Sequence, residues 1–275
     1  NEGDQILALS KNTFNECKSL INVIIKSKSA VNLDDELFSK NKKLEKVSIN
    51  CSEAIIGEKC FYECFNKNKN QIRIKSKNKI ELKNNSFENS FLNKIDLECK
   101  ELIIQQECFK NCLKLNTFQI SNIPQIHIEK CAFNGCENLQ KIILNSNRLI
   151  IDNQCFSGAI NLQTIELISQ GILDIGDYCF KNCTSLSDIL LQNNGSQNMM
   201  ISNNAFNGCN SLINITIKSN STTKLSKGLF SYNNKLETVI ITGDEIIIED
   251  QCFTKCFNND YNKNTLIMLS KNNIE

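Results

Sequence analysis

Phenylalanine marks off this chain at nearly constant intervals. Phe14, Phe38, Phe61, Phe87, Phe109, Phe133, Phe156, Phe180, Phe206, Phe230 and Phe253 follow one another at gaps of 22 to 26 residues. A period of that size means one supersecondary unit copied many times, and it constrains the fold before any local feature does. The same frame surrounds each ring and is clearest at Phe133. Ile126 and Ile128 stand seven and five residues before it, Cys136 three after, Leu139 six after, and Ile142 and Leu144 nine and eleven after. The frame holds at Phe156, Phe180, Phe206 and Phe230. It slips by one or two residues after Phe61 and Phe87, and an insertion rich in Asn and Lys interrupts it after Phe253.

Each apolar-x-apolar pair alternates with period two, which predicts a very short strand with one buried face. Every rung has two, as at Ile142–Leu144 and Leu149–Ile151, with a polar turn between them. Around the ring, apolar groups recur three and four residues apart, which predicts a short helical or 3₁₀ turn. No unit this small buries its faces alone, so the copies must stack. The expected fold is therefore α/β: a solenoid of about 11 rungs of 22–26 residues, with two short parallel strands and a helical turn in each. One domain over 1–275 is expected, irregular at 61–86 and carrying the insertion at 257–264. At the ordinary parallel-strand spacing, the stack would run roughly 50 Å.

These residues carry a resemblance. Leu139, Ile142, Leu144, Asn147 and Leu149 fall where the leucine-rich-repeat signature has its fixed positions, and Leu212, Ile215, Ile217 and Asn220 repeat most of them. The added element Ala132-Phe133-x-x-Cys136, repeated at Ala205, Phe206 and Cys209, resembles the BspA-type (Treponema-type) subclass over nearly the whole chain. That subclass usually has Ile-Pro after its first strand, whereas Pro124 is the one proline here. The resemblance implies a leucine-rich-repeat protein of the kind found on oral bacteria and parasitic protists, where such proteins adhere to host matrix or to cells. It also implies that the first strands line a concave face. The 42 asparagines, inflated together with Lys and Ile, read as the codon bias of an AT-rich genome.

A second period lies inside the first. The outward middle residue of the second strand is apolar in odd rungs (Ile55, Ile103, Ile150, Met200, Ile247) and polar in even ones (Asn32, Glu81, His127, Asp174, Lys224). Duplication of a rung pair accounts for this, and so does a contact stripe for a partner. On the first strands the outward residues include Ser48, Arg73, Asp96, Gln119, Glu166 and Thr216.

Fifteen cysteines invite a metal or disulfide reading. Pairs such as Cys108/Cys112 and Cys179/Cys183 have a spacing that zinc sites use. Yet Ala132, Ala159, Ala205 and Asn233 occupy the same frame positions, so these are packing sites for buried free thiols and no metal or other cofactor is expected. Bridges between stacked rungs, such as Cys112 with Cys136 or Cys183 with Cys209, are conceivable at strand spacing. Cys51, Cys99 and Cys131 fall outside the ladder and are expected to be exposed. Glycosylation sequons at Asn50, Asn84, Asn182, Asn194, Asn214 and Asn220 are about as many as chance supplies.

Catalysis has little to draw on. His127 is the sole histidine, no glycine loop cradles phosphate, and no carboxylate pair stands out as acid and base. The net charge of +1 gives no pull toward nucleic acid or anionic membrane, and no stretch is apolar enough to span one. The chain is expected to be a non-enzymatic adhesion module at the cell surface or outside the cell. Its partner would be a host-matrix or cell-surface protein, or a glycan, held on the concave sheet around Arg73 and Glu166. The competing expectation is a cytoplasmic scaffold docked as an assembly subunit through Ile55, Ile103, Ile150, Met200 and Ile247.

Overall fold

The computed structural model describes residues 5–65, 70–257, 264–272 and 274. The interior of the expected insertion at 257–264, and residues 66–69 of the irregular rung, lie outside these. Twenty strands follow one another. They begin with β1 (Leu7–Leu9), β2 (Asn22–Lys26), β3 (Val31–Leu33), β4 (Lys46–Cys51), β5 (Ala54–Ile56), β6 (Gln71–Ser76) and β7 (Lys79–Leu82). Next come β8 (Lys94–Glu98), β9 (Glu101–Ile104), β10 (Thr117–Ile120), β11 (Gln125–Ile128), β12 (Lys141–Ile151) and β13 (Thr164–Ile175). The last are β14 (Asp188–Asn193), β15 (Met199–Ile201), β16 (Asn214–Ser219), β17 (Thr222–Leu225), β18 (Thr238–Gly243), β19 (Glu245–Ile248) and β20 (Thr265–Ser270).

Every pairing is parallel and joins a strand to its counterpart one rung away. The second strands form one unbroken ladder, β1-β3-β5-β7-β9-β11-β12-β13-β15-β17-β19. The first strands form two ladders, β2-β4-β6-β8 and β10-β12-β13-β14-β16-β18-β20. β12 and β13 run through the corner and so belong to both series, with a register shift between Ser146 and Arg148. Strict alternation produces this: Ile142, Leu144, Leu149 and Ile151 point into the core from one chain segment while Lys141 and Arg148 face out.

The helical turn expected around each phenylalanine is not there, and neither is the α/β class. Among the described residues no helix occurs, and the molecule is a β-solenoid of about eleven turns. Two residues per rung, four apart, take left-handed backbone: Glu107 and Asn111 (φ 55° and 57°), then Cys131 and Gly135 (φ 58° and 74°). A right-handed helix cannot pass through such positions. The amides divide their bonding instead. Phe109 N donates to Ala132 O (2.8 Å) and Phe133 N to Cys155 O (3.0 Å) in the next rung, while Lys110 N and Cys112 N bond three residues back to Glu107 O and Phe109 O. The turn side is therefore a third inter-rung ladder. The three-and-four spacing marked an inward face correctly; the backbone that supplies it is a run of tight turns.

Asparagine has work here beyond codon bias. Asn85, Asn89, Asn111, Asn182 and Asn204 hold left-handed positions, which asparagine tolerates better than most residues. Buried Asn41 donates from Nδ2 to Phe14 O (2.7 Å) and Phe38 O (2.8 Å), and Asn233 does the same for Phe206 O and Phe230 O.

The eleven rings form one column. Successive centroids lie 4.8–5.5 Å apart with interplanar angles of 2–19°. Burying each interior ring is worth about 2–3 kcal/mol, and its stacking adds roughly 0.5–1.5 kcal/mol. At the corner between the two strands a hydroxyl closes the turn: Ser169 Oγ lies 2.9 Å from Asn147 O and 2.7 Å from Ile172 O, and accepts from Gly171 N.

Candidate partner-binding faces

The second-strand face is a single register column. Asn32, Ile55, Glu81, Ile103, His127, Ile150, Asp174, Met200, Lys224 and Ile247 are successive ladder partners. The five apolar residues singled out in the sequence thus share one face at every second strand, about 9.6 Å apart. Met200 is 39% exposed and the four isoleucines are half-buried. Between them stand ion-paired or hydrogen-bonded groups. Lys79 meets Glu81 at 2.8 Å, Lys224 meets Glu249 at 2.7 Å, and His127 Nε2 lies 3.2 Å from both oxygens of Asp152. Burial raises the Asp174 carboxyl above its ordinary range, and the nearby Arg148 guanidinium partly offsets this. His127 has Ile103 and Ile150 as its ladder neighbours, an arrangement of a strand residue on an open face.

The first-strand face separates the two charged residues. Arg73 sits on β6 between Ser48 and Asp96, whereas Glu166 sits on β13 between Ile143 and Leu190. They lie four rungs apart, about 19 Å or more at strand spacing, and on different ladders. Apolar residues overlooked in the sequence also face outward here. The column Gln119, Ile143, Glu166, Leu190, Thr216, Ile240 alternates polar and apolar as the other face does, and ends on a second apolar residue, Ile267. The signal lies in the sequence at the middle position of each first strand, where apolar Ile143, Leu190 and Ile240 stand between the polar residues.

All fifteen cysteines are free. Those three residues after a ring, Cys17 at the end of the column excepted, donate S–H to the carbonyl of the preceding ring. Cys64 reaches Phe38 O at 3.0 Å, Cys112 reaches Phe87 O at 3.1 Å, Cys136 reaches Phe109 O at 3.1 Å and Cys209 reaches Phe180 O at 3.2 Å. Asn41 and Asn233 stand in the same frame position and make the same bond, which explains why thiol and amide interchange there. Burial drives the Cys64 thiol up to about 12 and raises Cys136 as well. Cys51, Cys99 and Cys131, expected at the surface, are only 2%, 8% and 8% exposed; Cys17 and Cys256 are the partly exposed ones. The corner position of Cys51 and Cys99 is the one Ser76 and Ser146 hold elsewhere, and it points inward. Among the described residues no cluster of three His, Cys, Asp or Glu side chains could hold a metal ion.

The repeat that carries these faces is decided by comparison with known families. A family model, the BspA type leucine rich repeat region, matches in six copies over residues 3–116, 102–200 and 195–268. The chain belongs to this family. Leucine-rich repeats are typically non-enzymatic and commonly mediate protein binding, and BspA-type proteins are often associated with surfaces. A solved leucine-rich repeat protein from Bacteroides ovatus is similar at 15% identity, covering 88% of this chain and 82% of that one, with a TM-score of 0.40. No curated protein matches. Among the described residues of this BspA-type chain no helix is long and apolar enough to cross a membrane.

Proposed function

We propose that this BspA-type protein is a non-enzymatic adhesion module. It binds a host-matrix or cell-surface protein through the outward face of its first strands, the face that leucine-rich repeats place on their concave side. The column from Gln119 to Ile240 carries this reading. Half-exposed Ile143, Leu190 and Ile240 offer apolar area, and Glu166 and Thr216 between them set register and polarity, the mixture typical of protein interfaces. A location on the cell surface or outside the cell is supported by the habit of the family. It also fits the exposure of all six sequon asparagines, which leaves each open to a glycan.

A second reading has its own observation. Fifteen free thiols, several of them hydrogen-bond donors that oxidation would remove, suit a reducing compartment. There the stripe Ile55, Ile103, Ile150, Met200, Ile247 would dock the protein as an assembly subunit. Capture from host-matrix extract and from cell lysate separates the two. Arg73→Glu with Glu166→Lys is expected to abolish capture from matrix, while Ile103→Asp with Ile150→Asp leaves it intact, both variants retaining the wild-type circular dichroism spectrum. Capture that survives the charge reversal and fails with the aspartates contradicts the adhesion reading and supports the scaffold.

A further inference from the structure

The first strands part at one place. β8 closes one ladder and β10 opens the other, although the second strands of the same rungs, β9 and β11, remain paired through Glu101–Gln125 to Ile104–Ile128. Among the described residues no backbone hydrogen bond joins β8 to β10. A parallel strand sends its N–H and C=O groups alternately to its two neighbours, so both facing edges keep unpaired groups in the middle of a sheet. The inward residue at this point of the series is Phe118. It holds the inward position occupied by Ile95 and Ile142 on either side, and its ring wedges 4.6 Å from Phe133 and 6.3 Å from Phe109.

The result is a cleft of about 470 Å³ on the proposed binding face, within the size range of ligand clefts. Its rim is Asn93, Asn116, Gln119 and Ser121, all uncharged. The one cation on its wall, Lys94, is already paired to Asp96 at 3.2 Å, and Asp96 also accepts from Gln71 Nε2. A charged small molecule finds no free counter-charge there. Two rows of unpaired peptide groups match one kind of ligand, which is another peptide backbone.

We infer that an extended segment of a partner protein adds as a strand between β8 and β10. This deepens the adhesion reading and rests on the first-strand face being the binding face. The core behind the cleft is filled by Phe118 and Ile95, so the entering strand carries small residues at its inward alternate positions. Affinity comes from main-chain bonds; the two edges approach to within 8 Å and an inserted strand needs about 9.6 Å between them, so binding requires the first strands to part further about the paired second strands.

Hydrogen exchange tests this on the whole chain with a capped Thr-Ala-Thr-Ala-Thr-Lys peptide as probe, and the same peptide N-methylated at alternate residues as control. Without peptide, amides in 94–98 and 117–120 that face the cleft are expected to exchange at least about tenfold faster than those in 71–76 and 141–146. Millimolar probe is expected to slow them at least about fivefold, and the N-methylated peptide to leave them unchanged. Equal protection by both peptides, no slowing with the probe, or free-state amides as slow as their neighbours would each overturn the inference. Should protection fail while Arg73→Glu with Glu166→Lys still abolishes capture from matrix, strand addition falls and the binding face stands. Protection by the probe with capture untouched by the charge reversal sinks the adhesion reading instead.

Discussion

Cys64, Cys112, Cys136 and Cys209 each point a thiol at the carbonyl of the ring one rung back, so the proton on sulfur is part of the structure. This sets a pH limit. Burial pushes Cys64, Cys99 and Cys252 from an ordinary 9.0 up to about 12. Below about pH 9 folded and unfolded chains both hold these protons and stability is undiminished. Above it the unfolded chain releases protons that the folded one keeps, and stability drops by as much as about 1.4 kcal/mol per pH unit per thiol until the folded thiols ionise near 12. Urea midpoints are expected to hold up to about pH 9 and to fall steeply above it, less steeply in Cys64→Ala; a profile that stays flat above pH 9 would contradict the buried-donor role. The sequence showed that Cys trades places with Ala and Asn, and hence that the site is for packing. It could not show the bond, because the acceptor is a backbone carbonyl more than twenty residues away.

At the scale of the element, strands were legible and the turn was not. Period-two alternation locates both strands of a rung because side-chain direction follows directly from it. Spacing of three and four says only that a face points inward, and a helix and a chain of left-handed turns satisfy it equally. The deciding information was in the residues four apart that hold positive φ: Gly135, Gly158 and Gly208 in three rungs, asparagine in others. Gly158 (φ 73°) has open space where a Cβ would go, whereas a Cβ on Gly135 (φ 74°) would collide with the Asn111 side chain that bonds Asn89. Gly158→Ala is expected to cost about 1 kcal/mol for the left-handed backbone alone, and Gly135→Ala distinctly more. Equal losses in thermal unfolding would mean that the side chain of Asn111 yields without cost.

Across the whole molecule, each rung depends on the next for water exclusion, so damage should scale with how many neighbours a ring has. Phe156, fully buried between Phe133 and Phe180, is expected to cost about 3–5 kcal/mol on change to alanine. Phe14, 38% exposed at the end of the column, should cost less than about 1.5 kcal/mol, as chemical denaturation would register. The phenylalanine period revealed this stack and the alternating second-strand face, since both depend on what repeats. The parted ladder beside Phe118 stayed hidden because it depends on strand pairing between two particular rungs, which no local pattern encodes. Through-hydrogen-bond scalar couplings measured by NMR address the stack itself. Couplings from Phe109 N to the Ala132 carbonyl and from Phe133 N to the Cys155 carbonyl are predicted. Couplings to Gln105 and Glu129, four residues back in the same rung, would restore the helix and contradict a solenoid whose turn side is laced rung to rung.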